Sequence, residues 1–210
     1  MTVLCLGAHA DDIEIGCGGT VLRLLEERPR VAVHWVVFSA PGTRAREARS
    51  SARRFLRGAA SSHVRIEAFR DGFMPCHGAA VKEVFEELKE RVAPDLVFTH
   101  RGDDAHQDHR LVAELTWSTF RHHLILEYEV PKYDGDLGRP NVFVPLPNRI
   151  RRRKLRALLT GFPSQRGKHW FTESTFDALM RLRGVECAAP DGYAEAFHGR
   201  KVLLEPVPRA

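Results

Sequence analysis

The residue types best suited to chemistry stand in two short clusters. The apolar run Val3-Leu4-Cys5-Leu6-Gly7-Ala8 ends abruptly in His9-Ala10-Asp11-Asp12-Ile13-Glu14, and the run Leu96-Val97-Phe98-Thr99 is followed by His100-Arg101-Gly102-Asp103-Asp104-Ala105-His106-Gln107-Asp108-His109. Imidazoles and carboxylates at such spacing are the ligands of a divalent metal. Two histidines and one carboxylate leave coordination positions open to water, as catalytic zinc sites do and Cys-rich structural sites do not. An ion held that way lowers the pKa of bound water to ~7 and polarises a carbonyl oxygen. His9 and Asp12 are three apart in the first cluster, as are His106 and His109 in the second, where helical spacing would put both on one face. Beside Asp12 as ligand, Asp11 is the candidate general base. His106 is the candidate donor to an oxyanion or leaving group, with Asp108 holding its imidazole. Spacing gives Glu14, Asp103 and Asp104 no role.

Each residue alone has a plainer explanation, since a histidine at a strand end is commonly a surface group and Asp11-Asp12 before a helix is a capping pattern. The elements decide whether the clusters meet. Strands are expected near 2–8, 31–39, 63–68, 94–100 and 124–130, and helices near 17–28, 43–58, 78–92 and 106–122, an alternation that specifies a parallel sheet. The expected architecture is a Rossmann-like three-layer α/β fold with strand order 3-2-1-4-5. In that order the first and fourth strands are neighbours, and their C-terminal ends frame one crevice. Both clusters lie there.

Beyond residue 130 the alternation weakens. Pro131, Pro140, Pro145 and Pro147 punctuate a stretch with one strand expected at 142–146 and helices near 148–160 and 172–183. The 210 residues are read as one domain, with a core over 1–130 and a loop-rich, substrate-shaping appendage over 131–210. The basic run Arg151-Arg152-Arg153-Lys154-Leu155-Arg156 is read as a solvated helix face.

The formal charge is +5, from 26 arginines and 6 lysines against 27 acidic residues. The arginines are spread along the whole chain, which reads as compositional drift and disfavours a nucleic-acid partner. Gly16, Gly18 and Gly19 do not form Gly-x-Gly-x-x-Gly, and carboxylates stand where a phosphate turn would be, which disfavours a dinucleotide. These glycines are expected to let the first helix approach the sheet. Cys5, Cys17, Cys76 and Cys187 form no Cys-x-x-Cys pair. No window approaches the ~18 apolar residues of a membrane span, so a cytoplasmic protein is expected; a homo-oligomer stays open.

The segments Ala8-His9-Ala10-Asp11-Asp12-Ile13-Glu14 and His106-Gln107-Asp108-His109 closely resemble the two motifs of the PIG-L/LmbE family of zinc-dependent deacetylases. Gly16-Cys17-Gly18-Gly19-Thr20, Arg44 with Glu47, Tyr128-Glu129, Ser164-Gln165 and Tyr193-Ala194-Glu195-Ala196-Phe197 look like its weaker landmarks. Ala10 departs from the commoner proline. The resemblance implies that His9, Asp12 and His109 bind zinc, with Fe2+ also suited to such a ligand set, that Asp11 is the base, and that His106 serves the oxyanion or leaving amine with Asp108 behind it. It places Arg44 and Glu47 near the substrate pocket. It further implies removal of an acetyl group from an N-acetylglucosamine-type sugar or glycoconjugate. The alternatives are hydrolysis of another amide or ester, including a two-metal phosphoesterase, and a non-catalytic, zinc-keeping carbohydrate-binding module.

Overall fold

The computed structural model describes residues 1–202. The apolar runs form five parallel strands, β1 (Thr2–His9), β2 (Ala32–Ser39), β3 (Ser61–Ile66), β4 (Leu96–His100) and β5 (Leu124–Tyr128), in the order β3-β2-β1-β4-β5. β1 is central, and Cys5 lies opposite Trp35 on one side and Phe98 on the other. A strand paired on both edges and covered on both faces has no polar side to present, and Val3 through Ala8 are all buried. Helices α1 (Asp12–Glu27) and α2 (Thr43–Phe55) cover one face of the sheet, and α3 (Gly78–Arg91) and α4 (Gln107–Thr119) the other. The fold is the expected three-layer α/β arrangement. Among the described residues, no helix is long and apolar enough to cross a membrane.

The largest departure in the first two thirds is the start of α1, at Asp12 and not near residue 17. Glycine is a poor helix former, yet packing requires it here. A Cβ on Gly16 would lie 2.1 Å from Cδ2 of Tyr128, and one on Gly19 would lie 2.7 Å from Leu146 and 2.9 Å from Glu195. The early start puts Asp11 at the helix cap and Asp12 in the first turn.

The segment after 130 is more than loops. It adds strands β6 (Val142–Pro145) and β7 (Ala194–His198) and helices α5 (Asn148–Gly161) and α6 (Glu173–Glu186), and it extends the sheet antiparallel in the order β5-β7-β6. β7 escapes the sequence pattern because Ala194, Glu195 and Ala196 are weak strand formers, made extended by pairing on both edges. Its Glu195 is buried and receives the Gly19 and Thr20 N–H groups at 2.8 and 2.6 Å and Lys154 Nζ at 2.6 Å. Lys154 also donates to the Ile15 carbonyl at 2.6 Å. The solvated reading of 151–156 is thus corrected at Lys154, which is only 2% exposed. One buried ion pair fastens α5 and β7 to α1.

Removing one partner of such a pair strands the other charge without compensation, at a cost of about 3–5 kcal/mol. Glu195→Ala is expected to lower the urea-unfolding free energy by that amount, and the double replacement Glu195→Leu with Lys154→Met to recover most of the loss.

Candidate metal centre

The β1–α1 turn and the β4–α4 loop meet at the C-terminal edge of the sheet. His9 Nδ1 lies 3.1 Å from His109 Nε2 and 3.3 Å from Asp12 Oδ2, and His109 Nε2 lies 3.4 Å from the same carboxylate oxygen. An ion with bonds of about 2.0–2.1 Å in tetrahedral geometry separates its ligand atoms by about 3.3 Å. The outer nitrogens fix the tautomers, because a carboxylate can only accept. His109 Nδ1 faces Asp104 Oδ2 at 3.0 Å, and His9 Nε2 faces Asp108 Oδ2 at 3.3 Å and Asp71 Oδ1 at 3.1 Å. Each imidazole therefore turns a lone pair toward Asp12. With both imidazoles neutral, three buried acceptors face one another, an arrangement that a cation at their centre would satisfy.

The charge balance points the same way. Burial alone would lower His9, but Asp12, Asp108 and Asp71 outweigh it and hold its imidazolium well above the ordinary range. Burial works to raise Asp12, yet His109, His100 and His9 keep its carboxyl well below the usual carboxylate range. His100 Nε2 also lies 3.2 Å from Asp12, but it accepts the Ala8 N–H at 2.9 Å, so its lone pair is already used.

Asp11 stands apart from this triangle. Arg44 Nη2 donates to its Oδ1 at 3.1 Å, while its Oδ2 is buried with no partner among the described residues. Burial raises its pKa, against the pull of Arg44. His106 is corrected on one point: it precedes α4 in an extended conformation, so it and His109 do not share a helical face, although their rings approach to 4.7 Å. Its Nδ1 accepts the Asp108 N–H at 3.2 Å, which leaves the ring proton on Nε2. Burial, with His109 and His9, lowers its pKa and so favours the neutral ring. Asp108 is corrected too. Its carboxylate takes the Gly72 and Met74 N–H groups at 2.7 and 3.1 Å and supports His9, not His106.

Three contributors were invisible in the sequence. Asp71, on the loop after β3, reaches His9, and that contact lowers its pKa to about 2. Asp104 orients His109. Lys132 Nζ, from the appendage, lies 3.0 Å from Asp104 Oδ1. Asp71 and Lys132 come from loops with no periodic pattern, and Asp104 offered only its place two residues before His106. These groups open onto a cavity of about 280 Å³ whose far wall includes Tyr133, Gln165, Lys168 and Trp170. Glu47 lies outside the cavity but accepts the Ser164 N–H at 2.9 Å, holding the turn that presents Gln165.

The family model described as GlcNAc-PI de-N-acetylase matches residues 4–120, more than half of the chain. The chain belongs to the PIG-L family. The fold is also similar to solved structures. The N,N'-diacetylchitobiose deacetylase of Pyrococcus horikoshii is 20% identical, with 94% of this chain and 83% of that one covered at a TM-score of 0.73. The A40926 pseudoaglycone deacetylase Dbv21 is 18% identical, with 97% and 98% covered at 0.68. GalB, a 4-carboxy-2-hydroxymuconate hydratase from Pseudomonas putida KT2440, is 17% identical, with 99% of each chain covered at 0.75. No curated protein matches the chain significantly in sequence.

Within the first PIG-L motif, Glu14 does different work from its neighbours. It is fully buried and, among the described residues, neither carboxyl oxygen has a hydrogen-bond partner; the Ser51 hydroxyl beside it eases the burial effect only in part. Burial pushes its pKa up to about 8, so the folded protein holds it protonated at neutral pH. A pKa raised on folding leaves stability highest below the unfolded value and erodes it as pH rises to about 8. Glu14→Gln is expected to match the wild type at pH 4 and to exceed it by up to roughly 4 kcal/mol at pH 8, read by urea unfolding in the presence of a chelator. An equal difference at both pH values would mean that Glu14 is ionised in the fold.

Proposed function

We propose that the protein is a metal-dependent hydrolase that removes the acetyl group from an N-acetylated amino sugar or its conjugate. The observation that carries this reading is the triangle of His9 Nδ1, Asp12 Oδ2 and His109 Nε2, with edges of 3.1–3.4 Å. Those residues would hold zinc, or ferrous iron, which suits the same donors. Such an ion supplies Lewis acidity toward an amide carbonyl and makes water a better nucleophile.

The remaining roles belong to the side chains around it. Asp11 takes the proton of the attacking water on Oδ2, the oxygen that Arg44 leaves free. Its raised pKa makes it a stronger base than an exposed aspartate. His106, with its proton on Nε2, donates a hydrogen bond to the oxyanion, and the proton that Asp11 has taken passes to the departing amine. Asp104 and Asp108 hold the outer nitrogens of His109 and His9 and so aim both lone pairs.

The cavity and its wall favour a sugar. Its volume of about 280 Å³ is at the small end of ligand sites, suited to one ring and its acyl group. Tyr133 and Trp170 offer aromatic surface, and Asp71 and Arg44 offer the acceptor and donor that hydroxyl groups need. The family description and the deacetylases of like fold support the same reaction.

Asp11→Asn is expected to reduce amine release from N-acetylglucosamine derivatives by about 10²–10⁴-fold while metal content, measured by elemental analysis, stays at the wild-type level; near-normal turnover would remove Asp11 from the mechanism. Asp104→Asn is expected to weaken metal affinity by about 10–100-fold, read by competition with a chromogenic chelator. Failure of every N-acetyl sugar in the panel to release amine would overturn the substrate class.

A further inference from the structure

The arginines that are dispersed in sequence are gathered in space. Helices α2 and α5 lie side by side. Arg46, Arg49, Arg53, Arg54 and Arg57 of the α2 segment and Arg149, Arg152, Arg153 and Arg156 of α5 line two adjoining grooves of about 540 and 490 Å³. Eight of the nine are exposed, and Arg54 is half-buried. Of the nine, only Arg149 and Arg153 meet a carboxylate among the described residues, and they share the single Glu26. Among the described residues, the other seven have none within 4 Å, although Arg54 donates to the Thr160 hydroxyl.

A solvated helix face ordinarily intersperses both signs. Here like charges recur at i, i+3 and i, i+4 along α2, which destabilises a helix that stands alone. An external polyanion would relieve that repulsion, and guanidinium forks match phosphate oxygens in particular. The face itself narrows the choice of partner. No large apolar side chain lines either groove, whereas a protein partner ordinarily needs aromatic or aliphatic anchors. It offers no aromatic platform for unpaired bases. It presents the flanks of two helices over about 16 Å, with no projecting helix end or strand to enter a duplex groove.

We propose that the α2–α5 face docks the protein on an anionic phospholipid surface, held by charge and without insertion into the bilayer. This reading is independent of the reaction at the metal centre. A bilayer surface needs only a dense, broad field of positive charge, and each arginine near it adds to the attraction.

The test is sedimentation of the full chain with vesicles. Binding is expected to vesicles containing phosphatidylserine and not to pure phosphatidylcholine, and to weaken by about tenfold or more between low and physiological salt. The quadruple variant R53E/R57E/R152E/R156E is expected to lose on the order of a hundred-fold in affinity or more, with a wild-type circular dichroism spectrum and melting temperature. The salt titration needs no variant and stands even where that variant folds poorly. Three results would overturn the proposal: no sedimentation with anionic vesicles at low salt, vesicle binding unchanged in a folded quadruple variant, or tighter binding to duplex DNA than to vesicles at equal phosphate concentration.

Discussion

Three hydrogen-bond acceptors buried face to face repel one another, and much of the surrounding structure exists to keep His9, Asp12 and His109 in that position. The outer nitrogens of the two imidazoles are committed to Asp108 and Asp104, so neither ring can turn to relieve the contact. Asp12 is held by the backbone N–H of His9 at 2.7 Å. Asp108 is fixed by Gly72 and Met74 N–H groups, which ties the loop after β3 to the same point. A cation at their centre would resolve the repulsion, and a proton on His9 does the same, in keeping with its raised pKa.

The parallel sheet makes the cluster affordable in stability because it concentrates the burial elsewhere. The sheet joins two apolar layers, one under α1, α2, α5 and α6 and the other under α3 and α4. Among the described residues, most buried ionisable groups lie at the sheet's C-terminal edge, and the Arg183–Glu129 pair and the Lys154–Glu195 strut tie the added segment to the sheet. That strut matters to the cavity because α5 leads directly to the turn carrying Gln165 and onward to Lys168 and Trp170. Glu47 closes the connection from the other side through Ser164.

The parts legible in sequence were those with a period or a terminus. Uniform apolar runs at Val3–Ala8 and Leu96–Thr99 announced central strands, and their abrupt ends announced the two clusters. Strand order then followed from the handedness of crossovers, which is why residues about a hundred apart could be paired. Contributions from irregular backbone were not legible: Asp71 and Lys132 sit in loops, and nothing in their neighbours signals that they reach His9 and Asp104. Local reasoning also misjudged Lys154, because a basic run looks solvated until a strand as unpromising as Ala194–His198 brings a carboxylate beneath it. The arginine face fails in the same way. Dispersion along the chain carries no information about which helices will lie together.

Lys132 belongs to two structures at once. It forms part of the cavity and, 3.0 Å from Asp104 Oδ1, it is an ion-pair partner of the carboxylate whose other oxygen faces His109. A group in the cavity that drew Lys132 toward itself would leave Asp104 with one fewer cationic neighbour and His109 as its remaining partner. The cavity and His109 are thus joined through two side-chain contacts.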